Sequence, residues 1–266
     1  MTDPIITLTT DFGTSDEYVG AVKGVLLTNL GNASIIDITH AIPPQDVLRA
    51  SRVLAGSAPY FPPASTHLAI VDPGVGSIRR ILALRSAGQT FVGPDNGIFT
   101  PFLQLDSTTV YQVTNERLFR SPVSPTFHGR DIMAPVAARL AGGMDIAEVG
   151  RPVPWQSCVR LSESEPYPSA GRLVGRVVAK DHFGNLRTNL PGDTVKELAG
   201  EGAVTFLIGT MVIDELSSVY ADKQRGELMA LIDSQGFIEI AVVGGDAALV
   251  TGIGVGDEII VCRRHR

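Results

Sequence analysis

The chain has 266 residues, of which 44% are hydrophobic and 19% charged, and its net charge is −6. Such a length and composition are ordinary for a globular protein that forms one large domain or two smaller ones around a sizeable core. The acidic balance argues against broad binding to nucleic acid or to an anionic membrane, because both need a basic face. No apolar stretch approaches the roughly 20 residues that span a bilayer.

The first part of the sequence alternates between strand-like and helix-like patterns. Apolar, β-branched runs predict strands at residues 5–9, 34–38, 67–71, 81–84 and 90–92. Helical spacing predicts helices at residues 18–30, after Pro43-Pro44 through Leu54, and from about Arg130 to Leu140. This order predicts an α/β domain over residues 1–152, a mainly parallel α/β sandwich whose sheet is covered by helices.

The pattern changes after Gly150. Four prolines and several serines in residues 151–170 are typical of an extended crossing, so we assign 153–170 to a linker. Short β-rich runs separated by Gly, Asp and Asn turns follow it, with one short helical turn near Thr194–Leu198. We therefore predict an antiparallel β-barrel domain over residues 171–266.

Two cysteines occur, Cys158 and Cys262, and their spacing is not that of a metal site. The N-terminal residues run directly into a strand-like segment and show no signal-peptide layout. We expect inert thiols in a reducing compartment and hence a cytoplasmic protein. No pair of histidines has zinc-ligand spacing, so we predict no metal site.

Titratable side chains stand on glycine-bearing turns where predicted strands end. Asp72 follows the strand that ends at Val71, and open α/β sheets bind ligands at that carboxyl edge. An arginine near Asp72 would hold it ionised, and the pair can bind a water. The alternative is a structural Asp-Pro-Gly turn followed by a surface arginine, and spacing does not choose between Arg79 and Arg80. His128, just ahead of a predicted helix, can face a cleft or serve as a structural hydrogen-bonder.

Other strand ends carry candidate binding groups. Asp11 follows the first strand and can accept hydrogen bonds from a ribose diol, although Thr14, Ser15 or Asp16 can instead cap the next helix. In Lys180–Asn185 an amide can read the edge of adenine and a carboxylate can hold an ammonium group, whereas the alternative is a hairpin turn. The segment Ser234–Glu239 likewise fits either a binding role or a simple turn.

Seven phrases, taken together, resemble the S-adenosyl-L-methionine (SAM) hydroxide adenosyltransferases, the SAM hydrolases related to the SAM-dependent chlorinases and fluorinases. They follow the family's order along nearly the whole chain. The phrases are Thr10–Thr14, Asp37–His40, Ile42–Gln45, Val71–Gly76, Val92–Gly97, Phe127–Asp131 and Asp181–Asn185.

The resemblance implies an N-terminal α/β domain, a C-terminal β-barrel and a homotrimer that binds SAM between neighbouring subunits. It also implies a catalytic set of Asp72, Arg79 and His128, and so favours Arg79 over Arg80. Among the substrate-binding residues that it implies, Asp11 binds the ribose and Asn185 the adenine edge. Phe183 and Tyr220 form walls near the base, and Asp181 and Ser234 bind the methionine portion. It also implies substrate-binding roles for Gln45, Gly129 and Glu239. At Asp72 and at His128-Gly129 the chain resembles the hydrolytic members rather than the halogenating ones. Val243 and Arg187 depart from the family pattern.

The implied reaction is hydrolysis of SAM to adenosine and L-methionine by in-line attack of activated water on the 5′-carbon. SAM is then the substrate, and no cofactor is expected. Two alternatives remain at this point. One is a halogenase-like substitution, which Asp72 disfavours because a carboxylate repels a halide. The other is a SAM-binding or adenosine-binding module without significant turnover.

Overall fold

The computed structural model describes residues 3–103, 107–162 and 164–264. Met1 and Thr2, part of the N-terminal segment considered above, and Glu163 of the predicted linker lie outside the described residues. The chain divides into two compact units, residues 1–162 and 163–266.

The first unit contains a seven-stranded sheet. Its strands are β1 (Ile5–Thr10), β2 (Ser34–Thr39), β3 (Thr66–Ile70), β4 (Ile81–Ser86), β5 (Gln89–Pro94), β6 (Thr109–Val113) and β7 (Gly150–Pro152). Its α-helices are α1 (Tyr18–Asn29), α2 (Val47–Ser57) and α3 (Ala134–Ala141).

The strand order is β2-β1-β3-β5-β4-β6-β7. The strands β2, β1, β3 and β5 pair in parallel, whereas β4, β6 and β7 extend the sheet in antiparallel fashion. The switch occurs at a tight β4–β5 hairpin in which Ala87 and Gly88 both have positive φ, 49° and 78°. Such a turn matches the twist of paired antiparallel strands. The predicted α/β class is confirmed.

Both faces of this sheet are buried, as an α/β sandwich requires. Along β3, Leu68 and Ile70 pack in a cluster with residues of α1 and α3. The intervening Ala69, and Val71 beyond the strand end, pack in a second cluster with residues of α2. Because successive side chains of a strand point to opposite faces, helices cover the sheet on both sides. The loops at the carboxyl ends of β1 and β3 remain free to carry functional groups.

Residues 153–161, which the sequence analysis assigns to a linker, hydrogen-bond to the first unit. The Val153 N–H donates to the carbonyl of Val110 at 2.9 Å. Further along, the Val159 N–H donates to Asp95 Oδ1 at 2.9 Å. These bonds satisfy the backbone of a proline-containing stretch that has no long helix or strand of its own. The two units divide after this stretch, between Ser162 and Glu163.

The second unit is a nine-stranded, nearly closed, barrel-like sheet. Its elements are β8 (Tyr167–Ser169), β9 (Arg172–Lys180), β10 (Leu186–Pro191), α4 (Gly192–Ala199), β11 (Val204–Ile208), β12 (Met211–Ile213), β13 (Leu216–Ser217), β14 (Leu228–Ile232), β15 (Phe237–Val242), α5 (Ala247–Thr251) and β16 (Glu258–Arg263). Apart from the parallel pair β13–β14, the strand pairs of this sheet are antiparallel. The predicted antiparallel barrel is confirmed.

Among the described residues, no helix is both long and apolar enough to cross a membrane.

Replacing Phe91 with alanine should destabilise the first unit by about 3–5 kcal/mol, since it removes a fully buried aromatic ring. The ring stacks on His67 with centroids 4.8 Å apart and lies 4.2 Å from the ring of Phe102. Trp155 packs on the same cluster and is the chain's single tryptophan, so its fluorescence during urea unfolding measures the change. Tyr60→Ala, at a side chain 75% exposed, is the control and should change stability by less than about 0.5 kcal/mol.

Candidate active site

Asp72 and Arg79 form a close ion pair just beyond the end of β3. The Arg79 Nε–H donates to Asp72 Oδ1 at 2.9 Å and to Oδ2 at 3.0 Å, and Nη2 also bonds Oδ2. Both side chains are largely buried, with 11% and 6% exposure for Arg79 and Asp72. Arg80 turns elsewhere, since its Nε–H donates to Asp95 Oδ2 at 2.7 Å. The structure therefore pairs Asp72 with Arg79 and not with Arg80, a choice that the sequence spacing had left open.

His128 joins this pair through Arg79. The Nη2 of Arg79 lies 3.0 Å from His128 Nδ1. A guanidinium has only donors, so Nδ1 must accept, and the ring is neutral with its proton on Nε2. Burial lowers the pKa of His128, the positive charge of Arg79 lowers it further, and Asp72 and Asp131 oppose the shift. The three predicted catalytic side chains thus form one connected group.

The backbone after His128 forms a π-helical turn, Gly129–Met133, in which the Ala134 N–H donates to the carbonyl of Gly129. Turns of this kind occur frequently at functional sites. A Cβ on Gly129 would lie 2.8 Å from Cγ2 of Ile70 in β3. Gly129 therefore allows the turn to pack directly on the strand that leads to Asp72.

Two supporting residues were not identified from the sequence. Asn96, to which the sequence analysis gave no role of its own, donates from Nδ2 to the carbonyl of Val71 at 2.8 Å and so fixes the backbone beside Asp72. Asp131 is fully buried and accepts from Arg130 Nε at 2.7 Å and from the Ser124 N–H at 2.9 Å. Burial works to raise the pKa of Asp131, but these hydrogen bonds outweigh it and the pKa is lowered. This ionised carboxylate holds the loop before His128.

Asp11 and Gln45 meet at the carboxyl end of β1. The Gln45 N–H donates to Asp11 Oδ2 at 2.8 Å, and Gln45 has a left-handed φ of 67°. A non-glycine residue in that region is held there by its surroundings, here by the carboxylate. The capping alternative does not apply, because α1 follows Glu17 and has no side-chain cap. The second oxygen of Asp11 remains available for a ligand.

The loop that carries Asp11 is supported by a polar chain that the sequence analysis did not use. Thr10 Oγ1 lies 2.8 Å from His40 Nδ1, and His40 Nε2 lies 3.1 Å from Asp37 Oδ1. Lys23 Nζ donates to the other oxygen of Asp37 at 2.6 Å. The carbonyl of His40 accepts from the Gly13 N–H at 2.8 Å. The sequence signal for this chain was the Asp37–His40 segment, but the residues that it contacts, Thr10 and Lys23, lie in other elements.

An aromatic cluster connects the loop of Asp11 with the loop of His128. The rings of Phe12, Tyr18 and Phe127 lie 5.4–5.8 Å apart between centroids. Such edge and tilted contacts add specific geometry to apolar burial. Because Phe12 follows Asp11 and Phe127 precedes His128, the cluster fixes both loops on one scaffold.

In the second unit, Asp181 builds the turn between β9 and β10. Its Oδ1 accepts from the Phe183 and Asn185 N–H groups, each at 2.9 Å, and Gly184 has a φ of 88°. The hairpin alternative is therefore correct for this segment, and it leaves Oδ2 of Asp181 for a ligand. The ring of Phe183 is 74% exposed.

The predicted binding residues of the second unit line two cavities. Asp181, Tyr220, Ser234 and Glu239 line a polar cavity of about 430 Å³, together with Arg187 and Asp233. A more apolar cavity of about 560 Å³ is lined by Phe183, Asn185, Tyr220 and residues 242–245. Tyr220 belongs to both cavities. A separate groove of about 760 Å³ between residues 164–173 and α4 contains none of the predicted site residues.

Glu239 is buried, lines the polar cavity and bonds two residues that line the apolar one. Its Oε1 accepts from the Tyr220 hydroxyl at 2.6 Å and from Asn185 Nδ2 at 3.2 Å. Burial raises the pKa of Glu239, the Tyr220 hydrogen bond opposes the rise, and the nearby Asp181 adds to it. Burial and the contact with Glu239 raise the pKa of Tyr220 as well, so its phenol stays protonated at neutral pH.

Both parts of the chain match a known family. Residues 6–150 match the SAM hydroxide adenosyltransferase N-terminal domain, and residues 175–260 match the corresponding C-terminal domain. The chain belongs to this family. The resemblance found in the sequence is confirmed.

Individual relatives agree with this assignment. An (R)-S-adenosyl-L-methionine hydrolase of Salinispora tropica is 39% identical over 97% of each chain. A fluorinase of Actinoplanes sp. is more distant, at 29% identity over 90% of this chain and 91% of the relative. A solved structure of an uncharacterized conserved protein from Thermotoga maritima matches with a TM-score of 0.90 and 37% identity, covering 97% of this chain and all of the other.

Arg79→Met should raise the pKa of His128, because it removes the neighbouring positive charge that lowers it. Asp72→Asn should move the pKa in the opposite direction, because Asp72 stabilises the protonated ring. Proton NMR titration of the His128 ring measures both shifts. Arg80→Met is the matched control and should leave the midpoint in place, since Arg80 binds Asp95. Equal shifts for both arginine variants would contradict the assignment.

Proposed function

We propose that this member of the SAM hydroxide adenosyltransferase family hydrolyses S-adenosyl-L-methionine to adenosine and L-methionine, and that water or hydroxide attacks the 5′-carbon of the ribose. The observation that carries the proposal is the connected group of Asp72, Arg79 and His128 in a chain that matches the family in both parts. The Salinispora tropica relative bears the name of that hydrolase.

The difficult part of this reaction is the nucleophile. A neutral thioether leaves from a sulfonium, so departure needs no general acid, whereas water must be held in line and lose a proton. Asp72 positions the water and can accept its proton, with Arg79 fixing the carboxylate. Arg79 stabilises a developing hydroxide, and neutral His128 orients the water or relays its proton. In-line positioning supplies part of the roughly 7–11 kcal/mol that orientation can contribute.

Charge favours the reaction in a site of low polarity. Hydroxide and sulfonium neutralise each other as the transition state forms, so a dry site favours the step. His128 adds no second cation, because its pKa is lowered. A protonated ring beside Arg79 would instead repel the positively charged substrate.

The remaining predicted residues fit the parts of SAM by their chemistry. The free oxygen of Asp11 is an acceptor for the ribose hydroxyls, and the Gln45 backbone fixes that carboxylate. Asn185, which lines one cavity together with Phe183 and Tyr220, binds the edge of the base. Asp181 and Ser234 hold the amino-acid portion in the polar cavity. Gly129 keeps the His128 turn on β3.

We further propose that the reaction needs neither metal nor cofactor. Arg79 bonds both oxygens of the Asp72 carboxylate, which a metal would otherwise occupy. In the described part of the chain, no group of three His, Cys, Asp or Glu side chains is arranged to hold a metal ion. A cytoplasmic location is part of the proposal, supported by two free thiols, Cys158 and Cys262.

We propose a homotrimer whose sites lie between neighbouring subunits. Large apolar side chains next to predicted site residues stand in solvent in the single chain. Ile78, beside Arg79, is fully exposed, and Phe183 is 74% exposed. Exposed apolar groups that adjoin a site commonly mark an interface.

Asp72→Asn should lower turnover by about 10²–10⁴-fold while SAM binding persists, since it removes the group that orients and deprotonates water. Chromatography of adenosine and methionine measures turnover, and calorimetry measures binding. In ¹⁸O-water the wild-type protein should place the label on the adenosine 5′-hydroxyl. Asp214→Asn, at an exposed carboxylate, is the matched control.

Several outcomes would count against this function. Label-free adenosine would exclude attack of water on carbon, and undiminished turnover of Asp72→Asn would remove Asp72 from the chemistry. Chlorodeoxyadenosine formed in chloride would favour a halogenating enzyme. Binding without product would favour a binding module, and loss of activity on chelation would contradict metal independence.

Mixing two inactive variants tests the shared site. If one site takes Asp72 and Asp181 from different chains, co-assembly of Asp72→Asn with Asp181→Asn should restore measurable turnover. Asparagine at 181 keeps an acceptor oxygen for the turn. A mixture of Asp72→Asn and His128→Ala, both in the first unit, should stay inactive. Light scattering that shows a monomer, or no recovery in the first mixture, would contradict the proposal.

A further inference from the structure

Glu239 constrains the side chain of its neighbour Asn185. It is 5% exposed, and one oxygen, Oε1, accepts from both Tyr220 and Asn185. A carboxylate offers acceptors, so the end of the Asn185 amide that faces it must be the NH₂ group. Turning the amide over would set Asn185 Oδ1 against Oε1, two buried acceptors without a proton between them.

This orientation determines what Asn185 presents to the apolar cavity. Because one N–H of Nδ2 is donated to Glu239, the amide is held in one orientation, and Oδ1 is the single acceptor of a side chain that is 7% exposed. The other side-chain polar atom lining this cavity is the hydroxyl of Tyr220, whose proton also goes to Glu239. The cavity wall therefore offers an acceptor that is fixed in direction.

The backbone of residues 242–245, which lines the same cavity, already makes several hydrogen bonds. The Val243 N–H donates to the carbonyl of Glu227 at 3.1 Å, and the carbonyl of Val243 accepts from the Gly226 N–H at 2.8 Å. The Gly245 N–H donates to the carbonyl of Val242 at 3.1 Å. Hydrogen bonding to a base in this cavity therefore depends mainly on Asn185.

We propose that Glu239 is a positioning residue that sets base selectivity: by locking the Asn185 amide with Oδ1 toward the cavity, it selects a 6-aminopurine over a 6-oxopurine. The exocyclic amino group of adenine donates to Oδ1, whereas the 6-oxygen of hypoxanthine meets it as a second acceptor. A site built to pair with one hydrogen-bonding pattern rejects the other because its own polar group is left unpaired. This inference rests on the proposed function, since it assigns the apolar cavity to the base.

The test compares two substitutions of Glu239 on two substrates. Glu239→Met keeps approximate volume and removes the acceptor, so the Asn185 amide is free to turn. Glu239→Gln retains an acceptor oxygen. The rates of thioether release from SAM and from S-inosyl-L-methionine, as kcat/KM, give the preference for the amino base. Glu258→Met, at an exposed glutamate on β16, is the matched control.

We expect the wild-type protein and the Glu258→Met control to prefer SAM by at least about tenfold, and Glu239→Met to lose most of that preference. Glu239→Gln should retain more of it than Glu239→Met. An unchanged preference in Glu239→Met, or equal losses in both Glu239 variants, would overturn the inference. A purely structural defect would lower both rates together and leave the ratio in place.

Calorimetry with adenosine and inosine separates this inference from the proposed function. If the wild-type protein lacks turnover, the hydrolase assignment fails, but the preference for adenosine over inosine still tests Glu239. Preference in the wild-type protein that Glu239→Met abolishes supports the inference. Equal binding of the two nucleosides by the wild-type protein would overturn it.

Discussion

The guanidinium of Arg79 determines the state of the residues around it. It donates to both oxygens of Asp72 and also to His128 Nδ1. A group that only donates keeps the carboxylate as an acceptor and the imidazole neutral. The three side chains together therefore carry no net charge. For a substrate that bears a sulfonium, this balance matters, because an additional buried cation would oppose binding.

The surroundings of this group explain how it stays in place on loops. Asn96 holds the backbone carbonyl next to Asp72. Gly129 lets the turn after His128 approach Ile70 within a distance that a Cβ would not permit. These supports come from strand ends and turns of one sheet, where the chain is rigid on one side and open on the other. Catalytic loops gain precision from such anchors rather than from their own regular structure.

Periodicity predicted the elements of the fold that are long and strongly patterned. Strands β1 to β5, helices α1 and α2 and five strands of the second unit (β9, β11, β14, β15 and β16) follow the apolar runs in the sequence. Strands β6, β7, β8, β10, β12 and β13 were missed. Of these, β7, β8, β12 and β13 are only two or three residues long, and β7 and β8 each contain a proline. The five-residue helix α5 was also missed. Near Arg130 the sequence predicted a helix but not its π-helical first turn, because the two forms present nearly the same apolar pattern.

The sequence indicated residues for the candidate site but not their contacts. Spacing left Arg79 and Arg80 equivalent, and only the path of the loop after Asp72 sends one to Asp72 and the other to Asp95. Asp131 looked like a polar residue at a helix start, yet it is fully buried between arginines. Asn96 and His40 act through backbone carbonyls and distant side chains. Sequence patterns do not encode such pairings, which arise when loops converge.

The same carboxylate explains why water suits this site better than a halide. Asp72 is paired with Arg79 and its side chain is 6% exposed, so little solvent surrounds the carboxylate. A halide placed beside Asp72 would be repelled by the carboxylate. Water instead donates a hydrogen bond to that anion and gains nucleophilicity from it. The proposed preference for water over a halide therefore follows from one buried carboxylate.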